Sequence, residues 1–200
     1  VLETRSCAPP PCQITLLQAL PKGKLIEFII QKATELGAAR IVPLLSERVV
    51  SRLEGESAAH KAQKWQWVAI DAIKQCGSPW LPRVEPPVTP QQWLGRGEKF
   101  ELPLVAALQG QARHPGSYFR AFRAQHGRLP LSACVWVGPE GDFSPGELEA
   151  IVGVGALPIT LGPLVLRADT AALYCLSFLS YELSAGSAGG GQPGLTQVSG

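Results

Sequence analysis

An α/β fold built on a mostly parallel sheet is predicted by three observations. Short apolar runs alternate with helix-like stretches from residue 102 to residue 183; parallel strands need helical crossovers, so this alternation is the sequence form of stacked βα units. The run Ala39 to Leu45 is apolar almost throughout, as a strand covered on both faces is. Glycines fall where helical patterns stop, at Gly37 and Gly77.

Residues 1–13 contain Pro and Cys and show no periodicity, and Ile14 to Leu20 then reads as a short strand ended by Pro21. From Gly23 the apolar residues Ile26, Ile29, Ile30, Ala33 and Leu36 recur at helical spacing, with Lys24, Glu27, Lys32 and Glu35 elsewhere. Ala39 to Leu45 is a buried strand followed by the polar Ser46-Glu47-Arg48. A second helix spans about Ala58 to Cys76, with Trp65, Val68, Ala69, Ala72 and Ile73 inward. Five prolines between residues 79 and 90 leave room for only a short strand at Arg83 to Glu85. One helical turn follows at Gln91 to Leu94. Then come strand Leu102 to Leu108, helix Gly116 to Gln125, strand Ala133 to Val137, helix Pro145 to Val152, strand Pro158 to Leu161 and helix Thr170 to Leu183. From Ser184 the chain is Gly-, Ser- and Gln-rich and is expected to be a disordered tail.

Composition narrows the function classes. Two hundred residues with 46% hydrophobic content fill one core, and no apolar run approaches the roughly 20 residues that span a bilayer. The five cysteines are scattered without a CxxC pair, and the three histidines lack ligand spacing. Neither a disulfide framework nor a metal site is expected. The N-terminus shows no signal-peptide pattern, which points to the cytoplasm. The absence of methionine, including at position 1, leads to the expectation of an N-terminal truncation. A net charge of +2 leaves the partner open, because phosphate binding depends on local clusters.

In open α/β sheets ligands bind beyond the C-terminal strand ends. Three loops stand there: Gln109-Gly110, Gly138-Pro139-Glu140-Gly141-Asp142-Phe143-Ser144, and Gly162-Pro163-Leu164-Val165-Leu166-Arg167. In the second, two glycines let backbone approach a ligand, and Ser144 with Glu147 forms a capping box. An ordinary βα turn is the competing reading. The third loop is apolar and interrupted by Gly-Pro, so a flat heterocycle such as adenine could cover it, as could a second subunit. No GxGxxG or GxxxxGK[ST] is present, which removes the dinucleotide and P-loop readings.

The ordered blocks Leu20-Pro-Lys-Gly, Gln31-Lys-Ala-Thr-Glu-Leu-Gly, Ser46-Glu-Arg, Gln75-Cys-Gly, Gly138-Pro-Glu-Gly-Asp-Phe-Ser and Leu161-Gly-Pro-Leu-Val-Leu-Arg-Ala-Asp-Thr-Ala resemble the RsmE-type 16S ribosomal RNA uridine N3-methyltransferases, over about residues 14 to 183. The resemblance implies a SPOUT-class fold: a mostly parallel sheet flanked by helices, a C-terminal deep trefoil knot, which is a rare topology, and a homodimer. It also implies S-adenosylmethionine as cofactor, and 16S ribosomal RNA or the small subunit as partner. An RNA-gripping PUA-like β-barrel is expected at the N-terminus, with residues 1–20 as its remnant, 21–183 as the methyltransferase domain and 184–200 as the tail. This chain departs from the family pattern at Asp142, where glycine is usual, at Ala168-Asp169, where Thr-Glu is usual, and at Ser78, where arginine is common.

The cofactor set carried over is Leu108, Gly138, Pro139, Glu140, Gly141, Leu161, Gly162, Pro163, Leu166 and Ala171. Methyl transfer from a sulfonium needs alignment above all, and loss of the uracil N3 proton calls for a base or a stabilising cation. Arg167 is the first candidate, as a bidentate donor to the uracil carbonyls or a neighbouring phosphate; a purely structural arginine is the alternative. Glu140 is the second, as base or as anchor for loop amides. Lys22, Lys32 and Arg48 are candidates for phosphate contact. The competing functions are a non-catalytic knotted RNA-binding module and a SPOUT enzyme acting on another RNA, such as transfer RNA.

Overall fold

The computed structural model describes residues 6–23, 25–48, 57–108 and 112–184. Six strands, β1 (Gln13–Ala19), β2 (Arg40–Leu44), β3 (Arg83–Val84), β4 (Leu102–Ala106), β5 (Ser132–Val137) and β6 (Leu157–Ile159), alternate with six helices. The helices are α1 (Leu25–Glu35), α2 (Ala58–Cys76), α3 (Pro90–Leu94), α4 (Pro115–His126), α5 (Pro145–Gly153) and α6 (Ala168–Ser184). Every strand pair is parallel, in the order β3-β2-β1-β5-β4-β6.

The sheet is the middle of three layers, because its side chains alternate faces. Leu16, Ile41, Leu104 and Val135 point into one core with α1, α2, α4 and α6. Leu17, Val42, Val105 and Trp136 point into the other, with α3 and α5. Burial on both faces explains why the strands read as continuous apolar runs. The helix ends follow the sequence signals: Ser57 accepts from the His60 N–H and Gly77 closes α2 in the left-handed region, while Thr89 and Ser144 form capping boxes with Gln92 and Glu147.

The strand assigned to a barrel remnant is corrected by this topology. β1 lies at the centre of the sheet, hydrogen-bonded to β2 on one side and β5 on the other, and Leu16, Leu17 and Ala19 have no exposed surface. The boundary after residue 20 therefore does not separate two units. A short apolar run followed by proline looks the same from sequence whether its partners are local or more than a hundred residues away. The tail from 185 to 200 and the loop Gln109-Gly110 lie outside the described residues; Ser184 closes α6. β4 and β6 end earlier than their apolar runs, so Leu108 and Leu161 leave the sheet and become loop residues.

All five cysteines are free thiols. Burial raises Cys12 and Cys134 to about 12 and raises Cys175 as well, whereas Cys7 and Cys76 are exposed. The thiolate is the reactive form. Iodoacetamide at neutral pH is therefore expected to label Cys7 and Cys76 in the folded protein and the other three only after denaturation; mass spectrometry showing rapid native labelling of Cys134 or Cys175 would contradict this core.

Candidate functional site

Beyond the C-terminal ends of β4, β5 and β6 the sheet opens into a cleft of about 160 Å³, roughly ten times the room that one water needs. Three walls form it. The first is Ala106 to Leu108, the second Val137 to Glu140 with Asp142, and the third Thr160 to Leu166, while Ala168 and Ala171 of α6 close the floor. Its lining is mainly aliphatic side chains and backbone, which suits an apolar ring system held by backbone polar groups.

Two glycines shape its walls. Gly162 has φ +106°, where a side chain is strained, and its N–H is held by the Thr160 hydroxyl at 3.2 Å. At Gly138 the constraint is steric. A Cβ there would lie 3.0 Å from Asp142 Oδ1, 3.1 Å from the Phe143 nitrogen and 3.2 Å from Asp142 Cα.

The walls are tied together by carboxylates. Asp142 adopts φ +64°, a conformation that Asp tolerates better than most residues. Its Oδ2 accepts from the Leu108 N–H at 3.1 Å and its Oδ1 from the Phe143 N–H at 2.8 Å. The departure from glycine thus joins the β4 and β5 walls. Glu140 Oε1 accepts from the Lys22 N–H at 3.0 Å, linking the β5 loop to the turn after β1. Deeper in, Glu147 is 1% exposed. One oxygen accepts from Ser144 N–H and the other from Glu47 N–H, each at 2.9 Å. A capping residue of α5 therefore also fixes the segment after β2.

Of the residues singled out for cofactor contact, Leu108, Gly138, Pro139, Glu140, Leu161, Gly162, Pro163, Leu166 and Ala171 are brought together around this cleft. Gly141 is not among the lining residues. It packs instead beneath Arg48, whose Nη1 stands 2.8 Å from where a Cβ would be. Arg167 is exposed and outside the lining, although Leu166 and Ala168 on either side belong to it; its carbonyl accepts from Ala171 N–H at the start of α6. Lys22 is exposed near the β5 loop, whereas Lys32 lies on α1 and is paired with Glu35 at 2.8 Å.

Sequence reasoning missed Ala106, Ala107, Val137, Asp142, Thr160, Leu164, Val165 and Ala168 as lining residues. Leu164 and Val165 sit in a loop already singled out, so its apolar character was the available signal, whereas Thr160 was read as part of the strand before it. Asp142 gave a signal of its own, as an Asp at a position where the resembled family has glycine. Among the described residues no group of three or more His, Cys, Asp or Glu could hold a metal ion, and no helix is long and apolar enough to cross a membrane.

Comparison with known proteins agrees with this geometry. An RNA methyltransferase domain model matches residues 8–180. Ribosomal RNA small subunit methyltransferase E of Bacillus subtilis is 34% identical over 174 residues, which are 86% of this chain and 67% of the relative. The protein of the same name from Synechocystis is 35% identical over 84% of this chain and 52% of its own length. The chain thus spans between half and two thirds of these relatives. Among solved structures, a Legionella pneumophila protein described as a methyltransferase in complex with S-adenosylmethionine superposes with a TM-score of 0.75 at 36% identity, over 86% of this chain and 66% of that one. The Neisseria gonorrhoeae ribosomal RNA small subunit methyltransferase E bound to S-adenosylmethionine gives 0.72 at 29% identity, with the same coverage.

Proposed function

The chain belongs to the RNA methyltransferase family that includes ribosomal RNA small subunit methyltransferase E, and on that premise we propose that it transfers a methyl group from S-adenosylmethionine to N3 of a uridine in 16S ribosomal RNA of the small subunit. The observation that carries this reading is the convergence of both glycine loops on one aliphatic cleft at the C-terminal edge of the sheet. Gly138 lets the β5 loop close on Asp142 and Phe143, Gly162 supplies the positive-φ turn of the third wall, and Leu161, Leu166 and Ala171 offer the apolar surface an adenine ring needs.

When bound, S-adenosylmethionine supplies an electrophilic methyl on a sulfonium. The protein's part is alignment, and the ties from Asp142 to Leu108 and from Glu140 to Lys22 hold the walls in one geometry. Glu140 is assigned here as a wall anchor through Oε1. Arg167 is assigned to the uracil anion: a guanidinium cannot act as a base at neutral pH, but as a permanent cation it stabilises the negative charge left when solvent water at the open cleft takes the N3 proton. Its exposure one residue from the cleft leaves it open to an incoming base, which must leave its stack to be modified. Lys22 and Arg48, beside the β5 loop, are assigned to phosphate contacts; Lys32 is the weakest of the three because Glu35 already neutralises it.

The same reading includes a deep knot, which the family resemblance implies; the return of the chain from edge strand β6 to pack α6 against α1 and the central strands β1 and β5 fits it. It includes a homodimer as well, since the neighbouring Leu164 and Val165 are 73% and 75% exposed, an apolar surface that a second copy would cover. The methyltransferase unit is taken as residues 8–184, with action in the cytoplasm, where small subunits are assembled.

The decisive test incubates the protein with labelled S-adenosylmethionine and unmethylated small subunits and maps the modified nucleotide. Label at N3 of one 16S uridine is expected, and label confined to transfer RNA supplied in a parallel reaction, or none with calorimetry showing no cofactor binding, would overturn the reading. Arg167→Ala should lower turnover by about 100-fold while leaving the affinity for S-adenosylmethionine unchanged.

A further inference from the structure

The chain's charge is unevenly distributed. Of its 18 cationic residues, Arg113, Arg120, Arg123 and Arg128 fall between Glu101 and Glu140, an interval that contains none of its 16 carboxylates. The remainder of the chain is therefore net negative. The overall balance near zero hides a strictly basic segment, and α4 is its centre.

The four arginines are not equivalent. Arg128 is committed within the fold: its guanidinium donates to both oxygens of Glu101 at 2.6 and 2.8 Å and holds that carboxyl down to about 2. Arg113, Arg120 and Arg123 are exposed and form no ion pair among the described residues. Arg120 and Arg123 follow Gly116 at i+4 and i+7, so the three positions run along one side of α4, and both arginines stay exposed although Phe119, four residues before Arg123, is buried. Arg120 leans back over the helix start, its Nη1 lying 3.5 Å from where a Gly116 Cβ would be. Arg113 stands just before the helix. Its N–H donates to Pro158 O and its carbonyl accepts from Thr160 N–H, each at 3.1 Å. Thr160 lines the cleft, so this line of arginines begins beside the cleft mouth and runs outward along α4.

We propose that Arg113, Arg120 and Arg123 form a track for the phosphate backbone of the RNA whose base is presented to the cleft. This rests on the function proposed above and adds where the methyltransferase unit itself grips its substrate. Guanidinium forks match phosphate oxygens in pairs. Exposed arginines without partner carboxylates bind phosphate without first breaking an ion pair, and contacts of this kind set register rather than sequence.

The test measures RNA binding of the full chain against salt concentration, with 16S ribosomal RNA and with an unrelated RNA of equal length. For the variant carrying Arg113→Ala, Arg120→Ala and Arg123→Ala, the slope of log K against log salt should fall by about 2, since each phosphate contact on a single strand contributes about 0.7. Both RNAs should lose affinity equally. A charge-matched control with Lys61→Ala, Lys64→Ala and Lys74→Ala on α2 should change the slope by less than half as much. Alanine favours helix in both variants, and circular dichroism checks the fold. An unchanged slope, an equal loss in the control, loss on 16S RNA alone, or no RNA binding by the wild-type chain would overturn the track. Calorimetry with S-adenosylmethionine separates the two readings. Failure of the wild-type chain to bind it would sink the methyltransferase reading and leave the arginine track to be judged by the salt slopes.

Discussion

Gly138→Val is expected to weaken S-adenosylmethionine binding by about 100-fold or more, equivalent to roughly 2.7 kcal/mol, and to abolish methylation with it. The φ of Gly138 is not in the left-handed region, so valine's backbone could adopt it. The obstacle is the space beyond it. A Cβ would already press on Asp142 Cα and the Phe143 nitrogen at 3.2 and 3.1 Å, and these are backbone atoms held by the turn from Asp142 N–H to Pro139 O. Valine adds two more methyls, so the β5 wall must move and carry Asp142 off the Leu108 N–H. Overpacking of this size costs about 1–3 kcal/mol of stability, which a domain of this size ordinarily survives. Gly146→Ala serves as control, because a Cβ there meets nothing within 4 Å. Calorimetry on the folded variants decides it, and wild-type affinity in Gly138→Val would remove the β5 loop from the cofactor site.

The second large effect falls on stability. Glu147→Leu should cost about 3 kcal/mol, since hydrogen bonds to a charged acceptor are worth about 1.5–3 each and two backbone donors lose theirs. At about 2–4 °C per kcal/mol for a domain of this size, Tm should fall by roughly 6–12 °C. Glu147→Gln keeps one acceptor oxygen and should fall about half as far. The consequence reaches beyond α5, because the lost partner at Glu47 frees the segment that carries Arg48 to the β5 loop. A thermal melt of Glu147→Leu coincident with wild type would show that water replaces the carboxylate at little cost.

Sequence periodicity revealed each helix and strand, but not how they assemble. The period of 3.6 in Ile26, Ile29, Ile30 and Ala33 is local and survives in the amino-acid string. The pairing of Leu16 with Val135 is not local, and nothing in either run names the other. That is why β1 read as the end of something else. The site divides in the same way. Gly138 and Gly162 were legible, because punctuation at a strand end is a local signal, and Glu147 was legible as a capping residue. Its reach to Glu47 was not, nor was the contact of Arg48 with Gly141, because both depend on strand order. The position of Arg167 outside the cleft lining shows the limit of adjacency: neighbours along the start of a helix point to different sides.

The bonds from Glu140 to Lys22 and from Glu147 to Glu47 join positions 118 and 100 residues apart. Closing such spans early is entropically costly, so pairings of this kind slow folding. These ties therefore cannot form within either half of the chain, and because the third wall and Ala171 follow α5, a ribosome must release the chain into α6 before the walls can meet. Ligand affinity in this protein is a late event in its own synthesis, and it reports that the whole sheet has closed.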